Sequence, residues 1–556
     1  MIVAVISFAI LPSTQGVIPS PDGGYPGFNT AEGQNALFNL STGVGNAAVG
    51  WFSLWSNTDG SYNTAVGAGA LLFNVGNQSN GEGTQNTAIG TAALLNNSAG
   101  FQNTAIGVTA LFSNTTGSFN TAGGDGALFS NAIGSANTAN GYRALYLNTG
   151  GDGNTASGYQ TLYNNRADNN TATGTVALFH NTDGSNNTAI GYLALNQNTI
   201  ADQNTAIGAS ALADNTTGNF NTASGAFALS SNSDGIENTA TGVQALQKNT
   251  TGFENTATGA VALQSNTTGD LNTATGAFAL LNNTSGSNNT ATGGFALQNN
   301  TTGDLNTVIG YMGLSANTTG DFNAAIGASA LANNTTGDNN TAMGSDALFS
   351  NTTGSDNIAL GTLAGANVTS VNNVIAIGSA GENVGGRCYI GNIRGLVVGN
   401  GDGINVIVDS DGQLGTSNSS RRFKEDIRPM DQTSEAIQAL KPVTFRYKNQ
   451  DSKKAQSTPH FGLIAEDVAE VNPDLVVRDA DGEPLAVRYD AVNAMLLNEF
   501  LKEHRRVEEL KTALAQQRKD FEAVVARLNE QEARIQKVSA QVEAPKPASL
   551  MLAENQ

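Results

Sequence analysis

Residues 255–271 read NTATGAVALQSNTTGDL, a 17-residue unit whose repetition decides the fold of most of the chain. Each copy opens with an asparagine, and a glycine follows four residues later, as in Gly259. A leucine follows eight residues after the asparagine, as in Leu263, in every copy except the last, where Gly365 takes its place. The copies begin at Asn29, Asn46, Asn63, Asn86, Asn103, Asn120, Asn137, Asn154, Asn170, Asn187, Asn204, Asn221, Asn238, Asn255, Asn272, Asn289, Asn306, Asn323, Asn340 and Asn357.

This register indicates an ordered structure, because disordered segments do not keep a large apolar residue at a fixed spacing. The unit is too short for a pair of helices and suits one coil of a β-solenoid. We expect Asn-Thr-Ala-x-Gly to form a strand, the following x-x-Ala-Leu a second strand, and Asn-Thr-Thr-Gly a turn. The sequence therefore predicts a mainly β protein with a solenoid shaft over residues 29–378, on the order of 100 Å long at about 4.8 Å per coil.

The predicted core of each coil is thin. One buried leucine contributes about 2 kcal/mol, which is set against the conformational entropy lost when the coil becomes ordered. A single chain is therefore expected to be marginally stable. We expect three chains to bury their leucine and alanine faces against one another.

Composition excludes several classes of function. The net charge of −20 argues against nucleic acid as a partner, since phosphate binding requires a basic surface. Cys388 is the only cysteine, and we expect it to be a small buried hydrophobe. The three histidines lie far apart, so no metal or other cofactor is expected. The repeat offers Asn, Thr and Gly without acidic residues in register, which argues against a polysaccharide-cleaving enzyme.

The ends of the chain differ from the repeat. The apolar run Ile2–Leu11 within residues 1–28 resembles a signal-peptide core that lacks its basic part, or alternatively a buried first strand. No later segment is long and apolar enough to span a membrane. Residues 379–418 predict a β-rich stalk. From Ser419 the composition becomes that of a globular domain, with a strand, a helix near Ser434–Leu440, a strand at Val443–Tyr447, and then a strand, a helix, a hairpin and a long helix.

The last helix carries heptads, a coiled coil is predicted over residues 506–542, and residues 543–556 are expected to be disordered. One set of apolar residues is spaced by seven, and Leu496, Leu510, Val524 and Val538 occupy the second position of the seam. Phenylalanine in such a seam favours three strands, so a trimeric coiled coil is predicted; a helix packed on its own domain is the alternative. The first set consists of Phe500, Val507, Leu514, Phe521, Leu528, Ile535 and Val542.

Two stretches resemble known families. The NTAIG segments, for example at Asn86 and Asn187, resemble the head repeats of trimeric autotransporter adhesins of the YadA type, which implies attachment to a surface receptor or glycan. Residues 419–427 (SSRRFKEDI), residues 462–468 (GLIAEDV) and Tyr489 resemble the intramolecular chaperone domain of phage endosialidase tail spikes, phage neck-appendage fibres and myelin regulatory factor.

The second resemblance implies a chaperone at residues 419–505 that trimerises, helps the upstream fibre to fold, and then cuts itself off. Carried over by position, the scissile bond is Asn418–Ser419, Ser419 is the nucleophile and Lys424 is the base. A serine hydroxyl needs such a base, and a lysine amine accepts a proton only in its neutral form. The family's Asp after the serine is Ser420 here, so a folded chaperone that does not cut is the alternative.

Other interpretations of the repeat are weaker. Asn-x-Thr triplets match the N-glycosylation acceptor, Asp-Gly steps suggest calcium, and threonines in register suggest an ice-binding face. The sequence therefore predicts an extracellular or cell-surface homotrimer whose only enzymatic activity is a single self-cleavage. A phage or prophage tail fibre on a virion is the alternative.

Overall fold

The computed structural model describes residues 25–393, 405–409, 412–416, 419–447, 459–479 and 481–542. Residues 1–24, Asn418 and the tail from residue 543 lie outside these described residues. The chain forms two compact units, residues 1–396 and 397–556.

The first unit is the predicted β-solenoid. Each coil contributes one three-residue strand, and successive strands pair parallel and in register, as in Thr256↔Thr273, to form a single 22-stranded sheet. These strands, β1 to β22, are Thr30–Glu32, Ala47–Val49, Thr64–Val66, Thr87–Ile89, Thr104–Ile106, Thr121–Gly123, Thr138–Asn140, Thr155–Ser157, Thr171–Thr173, Thr188–Ile190, Thr205–Ile207, Thr222–Ser224, Thr239–Thr241, Thr256–Thr258, Thr273–Thr275, Thr290–Thr292, Thr307–Ile309, Ala324–Ile326, Thr341–Met343, Ile358–Leu360, Ile375–Ile377 and Cys388–Ile390.

The interior side chains of each coil are buried by the same chain, without a partner. In the coil that begins at Asn255, the side chains of Ala257, Ala262 and Leu263 are fully buried, and so are those of Asn255 and Asn266. The expectation that leucine and alanine faces are buried between chains is therefore wrong. The coil folds back around these residues, and its interior contains two alanines and two asparagines in addition to the leucine.

The buried asparagines form two hydrogen-bonded ladders along the shaft. In the first ladder, the Asn272 backbone N–H donates to Asn255 Oδ1 at 3.0 Å. In the second ladder, Asn283 Nδ2 donates to Asn266 Oδ1 and to the Gly286 carbonyl, both at 2.8 Å. Buried amides need such partners. Where a buried asparagine is itself the acceptor, as in Asn266-Thr267-Thr268, the triplet is closed to glycosylation in the folded shaft.

The expected second strand is a turn. Val261 and Leu263 have φ values of 63° and 52°, which are left-handed conformations that interrupt any strand. The Leu263 N–H still donates to the Ala279 carbonyl of the next coil at 3.0 Å. Leucine adopts this uncommon conformation because its side chain fills the coil interior.

The glycine that follows each strand allows the coils to approach closely. Gly293 has a φ of +133°, and a Cβ at this position would lie 2.5 Å from the carbonyl oxygen of Gly310. Only glycine tolerates both conditions. The repeated glycine of the sequence therefore marks a backbone contact between coils.

The solenoid sheet continues past Gly378. Strand β22 (Cys388–Ile390) pairs with β21, in the segment where we expected a stalk. Cys388 is exposed, so the prediction that it is buried is wrong: its side chain lies on the outer face of the last coil. Further along, Val406–Val408 (β23) and Leu414–Thr416 (β24) form an antiparallel hairpin.

In the residues that the structure describes, the second unit contains the β23–β24 hairpin, two further strand pairs, three 3₁₀ helices and two α-helices. The segment after Ser419, where we expected a strand, forms a 3₁₀ turn instead, since its N–H groups bond locally. Val468, Leu475, Val476 and Met495 form a small core. In chain order the elements are the 3₁₀ helices Arg421–Phe423 and Asp431–Ala439, strands Val443–Phe445 (β25) and His460–Gly462 (β26), helix Ala465–Val471 (α1), 3₁₀ helix Pro473–Leu475, strands Val476–Arg478 (β27) and Pro484–Val487 (β28), and helix Tyr489–Val542 (α2).

Helix α2 is 54 residues long and leaves its heptad positions exposed. Phe500, Leu514 and Phe521 are 66–67% exposed. In the part of the chain that the structure describes, no helix combines the length and apolar character needed to cross a membrane.

Candidate functional site

The residues expected to cleave the chain lie at the start of the second unit. Ser419 is exposed, and Asn418, the other side of the expected scissile bond, lies outside the described residues. Lys424 is exposed and follows the 3₁₀ turn Arg421–Phe423, where its N–H donates to the Arg421 carbonyl at 3.1 Å. The turn lies between the two expected catalytic residues.

The same turn exposes a phenylalanine. The Phe423 N–H donates to the Ser420 carbonyl at 3.0 Å, which fixes the turn. The guanidinium carbon of Arg422 lies 4.6 Å from the Phe423 ring centroid, a cation–π contact. Phe423 is nevertheless 58% exposed in a single chain.

The side chains of Ser419 and Lys424 are not hydrogen-bonded to each other in the single chain. Among the described residues 419–447, no hydrogen bond links the two side chains. A general base must come within hydrogen-bond reach of the proton it removes. The single chain therefore presents the two residues near each other in sequence without the geometry that proton transfer requires.

Two other parts of the chaperone-like pattern meet in space. The Tyr489 hydroxyl accepts a hydrogen bond from the Leu463 N–H at 3.0 Å. A Cβ on Gly462 would lie 2.8 Å from that hydroxyl oxygen, so glycine is needed for the approach. The Gly-Leu pair and the tyrosine, 26 residues apart, thus form one contact that ties strand β26 to the start of helix α2.

A buried polar cluster joins the 3₁₀ helix Asp431–Ala439 to helix α2, and sequence analysis did not find it. Ser434 is fully buried and its hydroxyl donates to Glu499 Oε1. Gln438 Nε2 donates to Glu499 Oε2 at 3.0 Å, and Asn498 Nδ2 donates to the Ser434 hydroxyl at 2.7 Å. Lys502 Nζ lies 2.7 Å from Glu499 Oε1. No local pattern indicates a contact between residues about 65 apart in sequence.

This cluster shifts two ionisation equilibria in opposite directions. Hydrogen bonds from Lys502 and Ser434 lower the pKa of Glu499. The hydrogen bond with Glu499 raises the pKa of Lys502. Each shift favours the charged form of its group. The charged Glu499 carboxylate is the form that accepts hydrogen bonds from Ser434 and Gln438, and these bonds join the 3₁₀ helix to helix α2.

Within the described residues, no group of three or more His, Cys, Asp or Glu side chains is arranged to hold a metal ion.

Comparison with known proteins identifies part of the second unit. A family model described as chaperone of endosialidase matches residues 419–477. Searches of curated proteins and of solved structures give no match. The matched stretch begins at Ser419 and includes strands β25 and β26 and helix α1.

A long β-solenoid followed by such a chaperone region indicates a protein of the tail-fibre or spike type.

Proposed function

We propose that the chain is one subunit of a homotrimeric surface or fibre protein whose C-terminal region acts as an intramolecular chaperone and is released by self-cleavage between Asn418 and Ser419. The observation that supports this most is the family match, because it begins at the residue expected to be the nucleophile. The shaft is then the mature product, and its role is attachment to a surface receptor or glycan, as in adhesins with similar repeats.

The exposed apolar side chains of helix α2 support assembly. Its seven heptad residues from Phe500 to Val542 are each at least 43% exposed in the single chain. Large apolar surfaces of this kind are normally covered by a partner. Because these residues recur every seven positions, three copies of the helix form a coiled coil that covers them.

Assembly also explains why Ser419 and Lys424 are not hydrogen-bonded in the single chain. Ser419, Lys424 and Phe423 are all exposed, so a neighbouring subunit can bury them and bring the lysine amine to the serine hydroxyl. Burial favours the neutral amine that a base requires. Cleavage then occurs only after the trimer has formed.

The cleavage reaction balances with water as the only co-reactant. Lys424 takes the proton of the Ser419 hydroxyl, and the oxygen attacks the carbonyl carbon of Asn418. The bond from that carbon to the Ser419 nitrogen breaks, and the nitrogen receives the proton. Water hydrolyses the resulting ester, which leaves a carboxylate on Asn418 and a free amine and hydroxyl on Ser419.

Denaturing gels of the expressed full chain test the proposal. The wild type and a Lys441→Ala control should each yield a fragment of residues 419–556. Ser419→Ala and Lys424→Ala should each remain intact.

An intact wild-type chain would contradict self-cleavage and favour the second candidate, a tail fibre with a chaperone that does not cut. Ser420→Asp separates the two cases further, since it restores the residue of the family pattern. If Ser420→Asp alone is cut, the departure at Ser420 is the cause.

A further inference from the structure

The outward face of the solenoid sheet changes character towards the C-terminal end of the shaft. In β13 to β16 the third strand residue is a threonine, as in Thr241 and Thr258. In β17 to β22 it is a large apolar residue in every coil. The first strand residue also changes to isoleucine in β20 and β21. We call the resulting set the apolar strip: Ile309, Ile326, Met343, Ile358, Leu360, Ile375, Ile377 and Ile390.

The strip is continuous and exposed. Its eight side chains are each 36–47% exposed in the single chain. Parallel pairing in register places equivalent residues of adjacent coils side by side, as in Leu360↔Ile377, about 4.8 Å apart. None of the residues of strands β17 to β22 is charged. Contiguous exposed apolar side chains of this kind, eight of them in six adjacent coils, are typical of an interface.

The proposed processing indicates which partner covers the strip. Cleavage at Ser419 removes helix α2 and its seam, so the released shaft needs another contact to remain trimeric. The leucines and alanines of the repeat cannot supply it, because each coil buries them internally. The strip lies in the coils closest in sequence to the chaperone region, where assembly begins.

We infer that the apolar strip packs against the same strip of two other copies and holds the three shafts together after the C-terminal fragment is released. The inference rests on the proposed function. Three identical faces can close around a threefold axis. The threonine-bearing coils β13 to β16 have no comparable apolar face. A shorter apolar run lies at the same strand position in β2 to β5 (Val49, Val66, Ile89 and Ile106), but the strip is longer and lies nearer in sequence to the chaperone region.

Sedimentation of the shaft fragment after cleavage tests the inference. The wild-type shaft should have the mass of three chains. Leu360→Lys combined with Ile377→Lys should reduce the mass threefold, to one chain, because six lysines would then face the axis. Both residues point outward, so circular dichroism and thermal unfolding of the variant shaft should match the wild type.

The control uses the same strand position in two adjacent coils of the threonine region. Thr241→Lys combined with Thr258→Lys adds the same charge and should leave the shaft trimeric. A trimeric Leu360→Lys/Ile377→Lys shaft overturns the inference while cleavage and trimerisation stand. A single-chain wild-type shaft also overturns it, and a single-chain uncut protein overturns the proposed function as well.

Cross-linking tests the inference in the uncut protein, and therefore also if the chain does not cleave itself. Cys388 lies on the first position of β22, beside the strip, and is exposed. A short flexible thiol cross-linker should join Cys388 of two wild-type copies in the uncut protein and should give no product with Cys388→Ser. A failure to cross-link in an uncut trimer contradicts the inference without affecting trimerisation.

Discussion

The asparagine eleven residues into each coil, from the coil that begins at Asn46 to the one that begins at Asn340, has a role that the repeat itself did not reveal. The sequence marks Asn266 and Asn283 as turn residues, and both do lie beside turns. The structure shows in addition that they are buried and bonded to each other from coil to coil. An amide can serve as donor and acceptor at once, so a column of asparagines satisfies itself. This column compensates for the thin apolar core.

Replacing a ladder asparagine should therefore cost more than replacing its exposed neighbour. Asn283→Ala removes the donor to Asn266 Oδ1 and the acceptor of Asn300 Nδ2, both inside the coil. Unsatisfied buried groups of this kind cost about 2 kcal/mol. Calorimetry should show a lower melting temperature for the shaft.

Asn282→Ala is the matched control, since Asn282 is the preceding residue and its side chain bonds to Asn299 near the surface. Equal melting temperatures for the two variants would show that the ladder does not stabilise the shaft.

At the scale of elements, local patterns correctly predicted the first strand of each coil but wrongly predicted a second strand where the chain turns. Thr-Ala-x alternates between exposed and buried positions, and it forms a strand as expected. The Ala-Leu segment has the composition of a strand, but the coil must turn there to enclose its leucine. The expected helix near Ser434–Leu440 is the 3₁₀ helix Asp431–Ala439, which the Glu499 cluster attaches to helix α2.

The Glu499 cluster should make the second unit sensitive to acid. Because the folded-state pKa of Glu499 is lowered, its carboxylate stabilises the fold above about pH 4.5, and this contribution is lost as the pH falls through the lowered value. The α-helices of the described chain all lie in the second unit, so helical ellipticity reports on it. Glu499→Gln should reduce helix stability at neutral pH and weaken the loss of stability below pH 4.5.

Glu503→Gln is the control for this change. Glu503 pairs with Arg506 at 2.9 Å on the exposed side of the same helix. Exposed pairs contribute little. If Glu503→Gln and Glu499→Gln respond to acid in the same way, the buried cluster is not the cause.

At the scale of the whole molecule, the exposed seam of helix α2 predicts the oligomeric state of the uncut chain. In a Ser419→Ala background, which keeps the helix attached, Leu514→Asp combined with Phe521→Asp should disrupt the coiled coil, because both side chains belong to the seam. In the proposed order of events the chains assemble through the coiled coil before their strips can meet, so a seam variant never forms the trimer. Sedimentation of the newly expressed protein should therefore show a lower mass than that of the Ser419→Ala parent, while strand signals from the shaft persist.

Lys519→Asp introduces an aspartate on the side of the helix opposite the seam and should leave the mass unchanged. The predicted coiled coil would be contradicted if the Leu514→Asp/Phe521→Asp variant remained a trimer, or if Lys519→Asp lowered the mass.

The sequence was informative where structure is local and periodic. Register alone predicted the solenoid, and the motif at residues 419–427 predicted the region that the family model matches. Contacts that depend on distant residues were not predictable. The Tyr489–Leu463 bond and the Ser434–Glu499 bond each join parts of the chain that no spacing rule relates.

The six additional residues near Asn77 and Glu82 form a small loop, and the coils on both sides of it still pair in register, Thr64 with Thr87. Each coil touches only its neighbours. Duplication or deletion of whole 17-residue units in a gene can therefore lengthen or shorten the rod in steps of one coil. The reach of the protein can thus evolve independently of the machinery that assembles it.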